Sequence, residues 1–174
     1  MTTTRLIILT ILSLFSCSQP KTDFELAVDK FDQIKLPITF NSGQDFDLKG
    51  ITRDSIGLGG ITYGRLFQFD NISATMYLSI PVYQIIPHIT TQDKDGKIID
   101  SFNLFKTTGQ EPGWSSVEDY TIYPDQTIVF VDSTETWEFK ADSLALHEIE
   151  GTRRLTVTKE KYKITEDGKI KKIE

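Results

Sequence analysis

The chain has 174 residues with 39% hydrophobic content, which suits one globular domain with a buried core and is too short for two domains of ordinary size. Isoleucine (21) and threonine (21) far outnumber alanine (4), a balance that favours strands and argues against a helical bundle. The net charge of −6 repels phosphate backbones, so nucleic acid is not an expected partner, and the single cysteine excludes an internal disulfide and a cysteine-rich zinc site. We expect no cofactor and no metal.

Residues 1–16 have the pattern of an export signal. Arg5 supplies a positive charge, and Leu6–Phe15 is an apolar run of ten residues, too short for a transmembrane helix. The run ends in Leu14-Phe15-Ser16-Cys17, which resembles the lipobox of bacterial lipoproteins. In that family the cysteine thiol receives a diacylglycerol, the peptide is cut before the cysteine, and the new amine is acylated. The resemblance therefore implies a lipoprotein signal peptide over residues 1–16 and lipidation of Cys17.

The resemblance also implies where the mature protein resides. Three acyl chains would anchor it stably, since each buried methylene contributes about 0.8 kcal/mol. Residues 17–22 then form a short polar tether, and residues 23–174 form a single β-rich domain held at the outer membrane. Surface-exported lipoproteins of Bacteroidetes-like bacteria often carry acids directly after the cysteine, whereas here Lys21 precedes the first acid, Asp23. The sequence leaves open whether the domain faces the periplasm or the cell surface.

The best helix candidate of the mature chain is Phe24–Phe31, where apolar side chains recur at spacings of three and four. Thr22 or Asp23 is placed to cap this helix. Leu36-Pro37 ends it, because proline restricts the conformation of the residue before it.

Beyond the helix the pattern changes to the alternation typical of strands. Turn dipeptides such as Asp95-Gly96 and Asp132-Ser133 separate the predicted strands. These cover residues 61–69, 75–80, 82–90, 97–105, 117–123, 127–131, 134–139, 155–158, 161–165 and 169–173. Many short strands with regular turns indicate a mainly β fold, an antiparallel sandwich or barrel-like sheet with one short N-terminal helix.

Two Asp-Gly turns predict the register of their hairpins. A two-residue turn at Asp95-Gly96 sets His88 opposite Asn103. The same kind of turn near the C-terminus pairs Tyr162 with Ile173.

The two histidines, His88 and His147, are the first candidates for catalysis. A triad needs a nucleophile, a base and an orienting group, and serines and acids are abundant. However, the sequence has no Gly-x-Ser-x-Gly elbow or other nucleophile motif, and neighbouring acids such as Glu118 and Asp119 diverge on a strand. We therefore expect no enzymatic activity, and the alternative is an envelope hydrolase that uses His88 or His147.

Residues 106–116 form the most loop-like stretch, with glycine and proline around Trp114. An exposed tryptophan on such a loop can stack on a sugar or fill a pocket of a partner, so Trp114 is the candidate ligand contact. The alternative is a ring that folds back over the edge of the core. Trp137 alternates with Phe139 and is expected in the core.

Three Asp-Ser pairs, each followed by an aliphatic residue or threonine, resemble the O-glycosylation signal of Bacteroidetes envelope proteins. The resemblance implies glycans on Ser55, Ser133 and Ser143, on exposed turns. Turn chemistry of Asp and Ser explains the same pairs without modification.

The whole chain also looks like the small lipoproteins of unknown function common in that phylum. The resemblance rests on the lipobox, the early Leu36-Pro37-Ile38-Thr39 segment and the hairpin around Asp95-Gly96-Lys97-Ile98-Ile99-Asp100, and it brings no activity or site. The expected function is non-catalytic binding of an envelope protein or glycan by a lipid-anchored domain. An envelope hydrolase and a periplasmic inhibitor or immunity protein are the alternatives, and the oligomeric state is left open.

Overall fold

The computed structural model of the chain describes residues 20–43, 61–79, 85–141 and 146–174. Within these ranges one short helix, α1 (Asp23–Val28), precedes the strands, and the predicted mainly β, antiparallel fold is confirmed. No helix in the described part of the chain has the length and apolar character needed to cross a bilayer. The strands are β1 (Ile38–Asn41), β2 (Ile61–Phe69), β3 (Ile72–Ser79), β4 (Ile86–Asp93), β5 (Ile98–Asn103), β6 (Gly109–Glu111), β7 (Trp114–Ile122), β8 (Thr127–Thr136), β9 (Phe139–Ala141), β10 (Leu146–Glu148), β11 (Arg154–Ile164) and β12 (Ile170–Lys172).

The strands form two main sheets whose inner faces enclose the core. One sheet has the order β2-β3-β4-β5, and the other has the order β1-β7-β8-β11-β12 with β6 added on β7. Strands β9 and β10 form a separate hairpin. Buried side chains from both main sheets make one hydrophobic cluster, which is the arrangement of a β sandwich. Its fully buried members include Met76, Ile89, Tyr120, Ile122, Ile128 and Ile164.

The helix begins at Asp23, one residue before the predicted start, and ends earlier than predicted. The Glu25 N–H donates to Thr22 Oγ1 at 3.2 Å, and the Thr22 N–H donates to Glu25 Oε2 at 2.7 Å, so the two residues form a capping box. The prediction that the helix reaches Phe31 is wrong. Residues 32–34 bond instead to the edge of β2 through both backbone groups of Arg65, and this pairing draws the chain out of the helical path.

The helix packs on the turn between β4 and β5. Thr22 Oγ1 donates to the carbonyl of Lys94. The Phe24 ring lies 2.8 Å from the position that a Cβ on Gly96 would occupy. The described chain therefore enters the domain at the end of the sandwich where this turn lies.

Strands β8 and β11 pair as one long ribbon. Their register runs without interruption from Arg154 opposite Thr136 to Lys163 opposite Thr127. The predicted turn at Asp132-Ser133 is therefore wrong, and each strand unites two predicted ones. Continuous cross-strand hydrogen bonding overrides the local turn preference of that dipeptide.

Half of this ribbon extends beyond the core. In β11, Tyr162 and Ile164 are buried, whereas residues 154–159 are all exposed. The turn after β11 lies beside β4, at the α1 end of the sandwich, where Thr91 Oγ1 donates to the Gly168 carbonyl at 2.6 Å. The exposed half therefore projects from the opposite end. We call this projection the arm, and it comprises residues 109–117, 132–141 and 146–158.

Three hairpins share one turn geometry. In each, the residue before the loop donates its N–H to a carbonyl four positions on, and its own carbonyl accepts from the third loop residue. The third residue has a positive φ: Gly96 (82°), Gln126 (66°) and Gly168 (76°). These are three-residue loops that end in the left-handed region, so the predicted two-residue Asp-Gly turns are wrong.

The longer loops shift one of the two predicted registers by one residue and leave the other as predicted. Tyr162 lies opposite Lys172 instead of Ile173, one residue from the prediction. In the β4–β5 hairpin a bulge adds one residue to β5 and compensates for the longer loop. His88 therefore faces Asn103, and this prediction is confirmed.

Candidate functional site

A cleft of about 420 Å³ lies at the end of the arm. Segments distant in sequence form it: the β6–β7 turn, the residue after β8, and the β9–β10 hairpin. Its volume is in the range of sites that hold a small ligand or part of a larger one. The lining residues are Gln110, Glu111, Pro112, Gly113, Trp137, Phe139 and Glu148.

Gly113 allows the walls of the cleft to approach each other. It follows Pro112 in a tight turn and has a φ of 85°, which favours glycine. A Cβ at this position would lie 2.9 Å from the Trp137 carbonyl oxygen and 3.2 Å from the Phe139 ring. The Trp137 N–H donates to the Gly113 carbonyl at 2.9 Å, so the turn also fixes the backbone that carries both rings.

Arg153 packs on the Trp137 ring without itself being one of the residues that line the cleft. Its guanidinium carbon lies 4.5 Å from the centroid of the Trp137 ring. The guanidinium donates from Nε to Glu148 Oε1 at 3.1 Å, from Nη2 to Glu148 Oε2 at 2.6 Å and from Nη1 to Glu135 Oε2 at 2.5 Å. Two carboxylates therefore hold the guanidinium plane against the indole, which limits the movement of the ring.

These ion pairs also set the charge of the cleft. Hydrogen bonds from Arg153 lower the pKa of Glu148, and hydrogen bonds to the two carboxylates raise the pKa of Arg153, so Glu148 and Arg153 stay ionised at neutral pH. Phe139 is 43% exposed beside it. The cleft thus offers an exposed aromatic surface next to carboxylate oxygens. Such a surface can stack on a sugar ring or an apolar side chain and accept hydrogen bonds from hydroxyl or amide groups.

A second groove, of about 530 Å³, lies beside the β7–β8 turn at the other end of the sandwich. It contains one aromatic ring, Tyr123, and neighbouring Lys161 is paired with Glu174. The groove is larger, but no ion-pair network like that of Arg153 holds its ring among the described residues. We therefore take the cleft on the arm as the candidate site.

Trp114, the predicted contact, is not among the residues that line the cleft. It is half-buried at the start of β7, and its ring lies 3.2 Å from the position of a Cβ on Gly109. Its role as a ligand contact stays a prediction. Residues 110–113 of the predicted loop do line the cleft. Trp137 is half-buried at the cleft instead of in the core, because none of the described strands covers the face of the arm on which it lies.

His88 belongs to a row of polar side chains on the outer face of the β2–β5 sheet. Its Nδ1 lies 2.6 Å from Asn103 Oδ1, and its Nε2 lies 2.5 Å from Ser79 Oγ. When Nδ1–H donates to Asn103, Nε2 can accept the proton of the Ser79 hydroxyl, which is the relation of nucleophile, base and orienting group in a triad. His147 is elsewhere, exposed on β10 in the arm.

Glu118 and Asp119 diverge, as the sequence predicts. Glu118 is fully buried, and its carboxylate accepts the backbone N–H groups of Lys106 at 2.7 Å and Thr107 at 2.9 Å. Asp119 lies on the other face and accepts from Asn41 Nδ2 at 2.6 Å. The buried carboxylate holds a loop in place and is closed to substrate.

The remaining predicted sites concern covalent modification. Cys17, Ser55 and Ser143 lie outside the described residues, as does the predicted signal peptide 1–16. Ser133 is half-buried within β8, so its expected position on an exposed turn is wrong. Its glycosylation stays a prediction.

Comparison of the chain with protein-family models, with curated proteins and with solved structures finds no match. In the described part of the chain, no three His, Cys, Asp or Glu side chains are grouped so as to hold a metal ion. Analogy with a known fold therefore contributes nothing to the function, which must come from the site.

Proposed function

We propose that this chain is a lipid-anchored cell-envelope protein that binds an envelope protein or glycan, without catalysis, in the cleft at the end of its arm. The observation that carries the binding role is the cleft itself, where Gly113 and Arg153 order Trp137 and Phe139 beside carboxylates. The lipobox-like Leu14-Phe15-Ser16-Cys17 supports the anchor.

The order within the cleft favours binding over a purely structural role. Three hydrogen bonds fix Arg153 on a ring that borders solvent, and 43% of Phe139 is exposed beside it. Exposed aromatic surface gains nothing from folding and gains much when a ligand covers it. Because the rings are ordered before association, little side-chain entropy is lost on binding.

Phe139→Ala is expected to weaken ligand capture by at least roughly tenfold, since truncating a central aromatic contact typically costs 2 kcal/mol or more. The mature lipidated protein would be immobilised in detergent. Two probes would be offered separately, namely a detergent extract of envelope proteins and purified envelope glycans from the native host. The retained amount of each species measures which probe binds.

Tyr123→Ala is the matched control, because Tyr123 is 39% exposed at the other end of the sandwich. Equal retention by wild type and both variants would contradict the cleft as the binding site.

The anchor is tested independently by mass spectrometry of the same preparation, where acylated Cys17 is expected as the first residue. An unmodified Cys17 would contradict the lipid anchor but would not bear on binding in the cleft.

The row Ser79–His88–Asn103 favours one second candidate, an envelope hydrolase. Its step would be attack of Ser79 Oγ on an ester carbonyl carbon, with the hydroxyl proton passing to His88 Nε2 and then to the departing alcohol. Water would hydrolyse the acyl-serine.

A fluorophosphonate probe separates this candidate from binding alone. If the hydrolase is correct, the probe labels Ser79 in the folded protein, and His88→Gln reduces the labelling rate by at least about 100-fold. Labelling no faster than in Ser79→Ala excludes the hydrolase.

A further inference from the structure

Strand β11 has one edge that the described strands cover only at its C-terminal end. Strand β8 pairs with its other edge over residues 154–163 without a register shift. Strand β12 covers the open side only from Tyr162 to Ile164, and Glu174 extends this contact to Lys161. Residues 154–160 therefore present an open edge, and residues 154–159 are exposed.

The backbone groups of this edge point outward in a defined pattern. The Lys161 N–H donates to the Glu174 carbonyl at 2.9 Å, and the Lys161 carbonyl accepts from the Ile173 N–H at 2.8 Å. Lys161 thus directs both groups away from β8. Because the direction alternates along a regular strand, Leu155, Val157 and Lys159 also direct their N–H and C=O groups to the open side.

Two apolar side chains of the edge are largely exposed to solvent. Leu155 is 62% exposed and Val157 is 57% exposed. Val117 is 41% exposed. It lies on the same face as Val157, because Ser133 of β8 is opposite Val117 on one side and opposite Val157 on the other. An open edge that has exposed apolar side chains and no proline favours pairing with another strand.

We infer that a second copy of this chain occupies the edge, with the two β11 strands antiparallel about a two-fold axis at Val157. The open segment 154–160 has Val157 at its centre, so this register uses its full length. It pairs Val157 with Val157 of the partner subunit, and both residues direct their backbone groups toward the axis, as a hydrogen-bonded pair requires.

Charge complementarity favours a second copy over a foreign strand. In this register Arg154 lies opposite Glu160 of the partner subunit, on the same face of the joined sheet. Arg154 donates to the backbone carbonyls of Gly151 and Arg153, so its guanidinium has further donors for a carboxylate. Glu160 accepts from Lys172 Nζ at 2.7 Å, and a carboxylate has acceptor sites for more than one donor. Antiparallel self-pairing forms this contact between Arg154 and Glu160 at both ends of the shared edge and places Lys159 opposite Leu155 of the partner subunit.

Val157→Pro is the first test. The Val157 N–H faces the open side, so proline removes no hydrogen bond within one copy but blocks pairing at the axis. We expect sedimentation equilibrium of the mature protein, in detergent of matched density, to change from two chains to one, with unchanged circular dichroism. Val157→Thr keeps the N–H and should remain a dimer. A wild type that sediments as one chain at tens of micromolar, or a proline variant that still sediments as two chains, overturns the inference.

Val157→Cys tests the register. Hydrogen-bonded partners in an antiparallel pair have Cα atoms about 5.5 Å apart, within the range for a disulfide. Oxidation is expected to link two copies through Val157→Cys. Ile173→Cys, which is also 57% exposed but lies off the axis, should not link. Equal cross-linking of the two variants, or none at Val157→Cys, contradicts the register. Neither test depends on the lipid anchor or on the cleft.

Discussion

Replacing Glu118 with leucine is expected to lower the free energy of unfolding by about 4 kcal/mol. The carboxylate is fully buried and accepts three hydrogen bonds, from the backbone N–H groups of Lys106 and Thr107 and from Thr107 Oγ1 at 2.8 Å. Leucine has a similar size but leaves two partly buried N–H groups without this acceptor. Urea denaturation monitored by tryptophan fluorescence measures the loss.

The effect should extend beyond the carboxylate itself. The Glu118 backbone N–H donates to Ser42 Oγ at 2.9 Å, and Thr108 Oγ1 donates to the same oxygen at 2.6 Å, so the loop and the end of β1 are joined at this point. Faster amide exchange at Thr107 and Ser42 is therefore expected in the variant.

Asp119 provides the control, since its side chain lies on the opposite face and accepts one hydrogen bond from Asn41. Asp119→Leu is expected to cost no more than about 1.5 kcal/mol. A loss below about 1 kcal/mol for Glu118→Leu would show that the buried carboxylate does not hold the loop.

Gly64→Ala is the second large effect, with an expected loss of about 3 kcal/mol in the free energy of unfolding. A Cβ at Gly64 would lie 2.7 Å from the Asp32 carbonyl oxygen and 2.8 Å from Ile34 Cγ1. The first neighbour is backbone and cannot rotate away. The Asp32 carbonyl accepts from the Arg65 N–H at 2.9 Å, so moving it breaks the pairing that covers the edge of β2.

Gly43→Ala is the matched substitution, because the atom that a Cβ would meet there is Asn41 Oδ1, at 3.2 Å and at the end of a side chain. It should change stability by less than about 0.5 kcal/mol. Calorimetry of both variants under the same conditions makes the comparison. Equal unfolding temperatures would show that residues 32–34 do not need this close approach.

Hydrophobic periodicity predicts the longer strands, but it misses the short strands β1, β6 and β10 and does not determine the loops. An Asp-Gly pair favours a two-residue turn and equally suits a three-residue loop whose last residue is left-handed. For the β4–β5 hairpin a bulge cancels that difference, and His88 faces Asn103. No bulge follows Gly168, so Tyr162 meets Lys172. A bulge depends on contacts made by the other sheet, which a local pattern cannot contain.

The cleft could be predicted only in part. Glycine and proline around residues 110–113 mark a turn, and that turn lines the cleft. The alternation of Trp137 and Phe139 indicates a strand face but cannot say whether a second sheet covers it. On the arm none of the described strands does, so the same pattern that signals a core places aromatic rings at solvent. Arg153, which holds Trp137, lies 16 positions away and shows no local motif.

The opposed positions of helix α1 and the arm determine how far from a bilayer the protein could work. Strand β11 has 11 residues, which at a rise of about 3.3 Å each span roughly 35 Å between the two ends. On a chain tethered through Cys17, just ahead of α1, the aromatic rings would stand at least that distance above the headgroups when the long axis is upright. At that height the cleft would reach ligands that extend outward, such as sugar chains or the extramembrane parts of other proteins, and phospholipid itself would lie out of range.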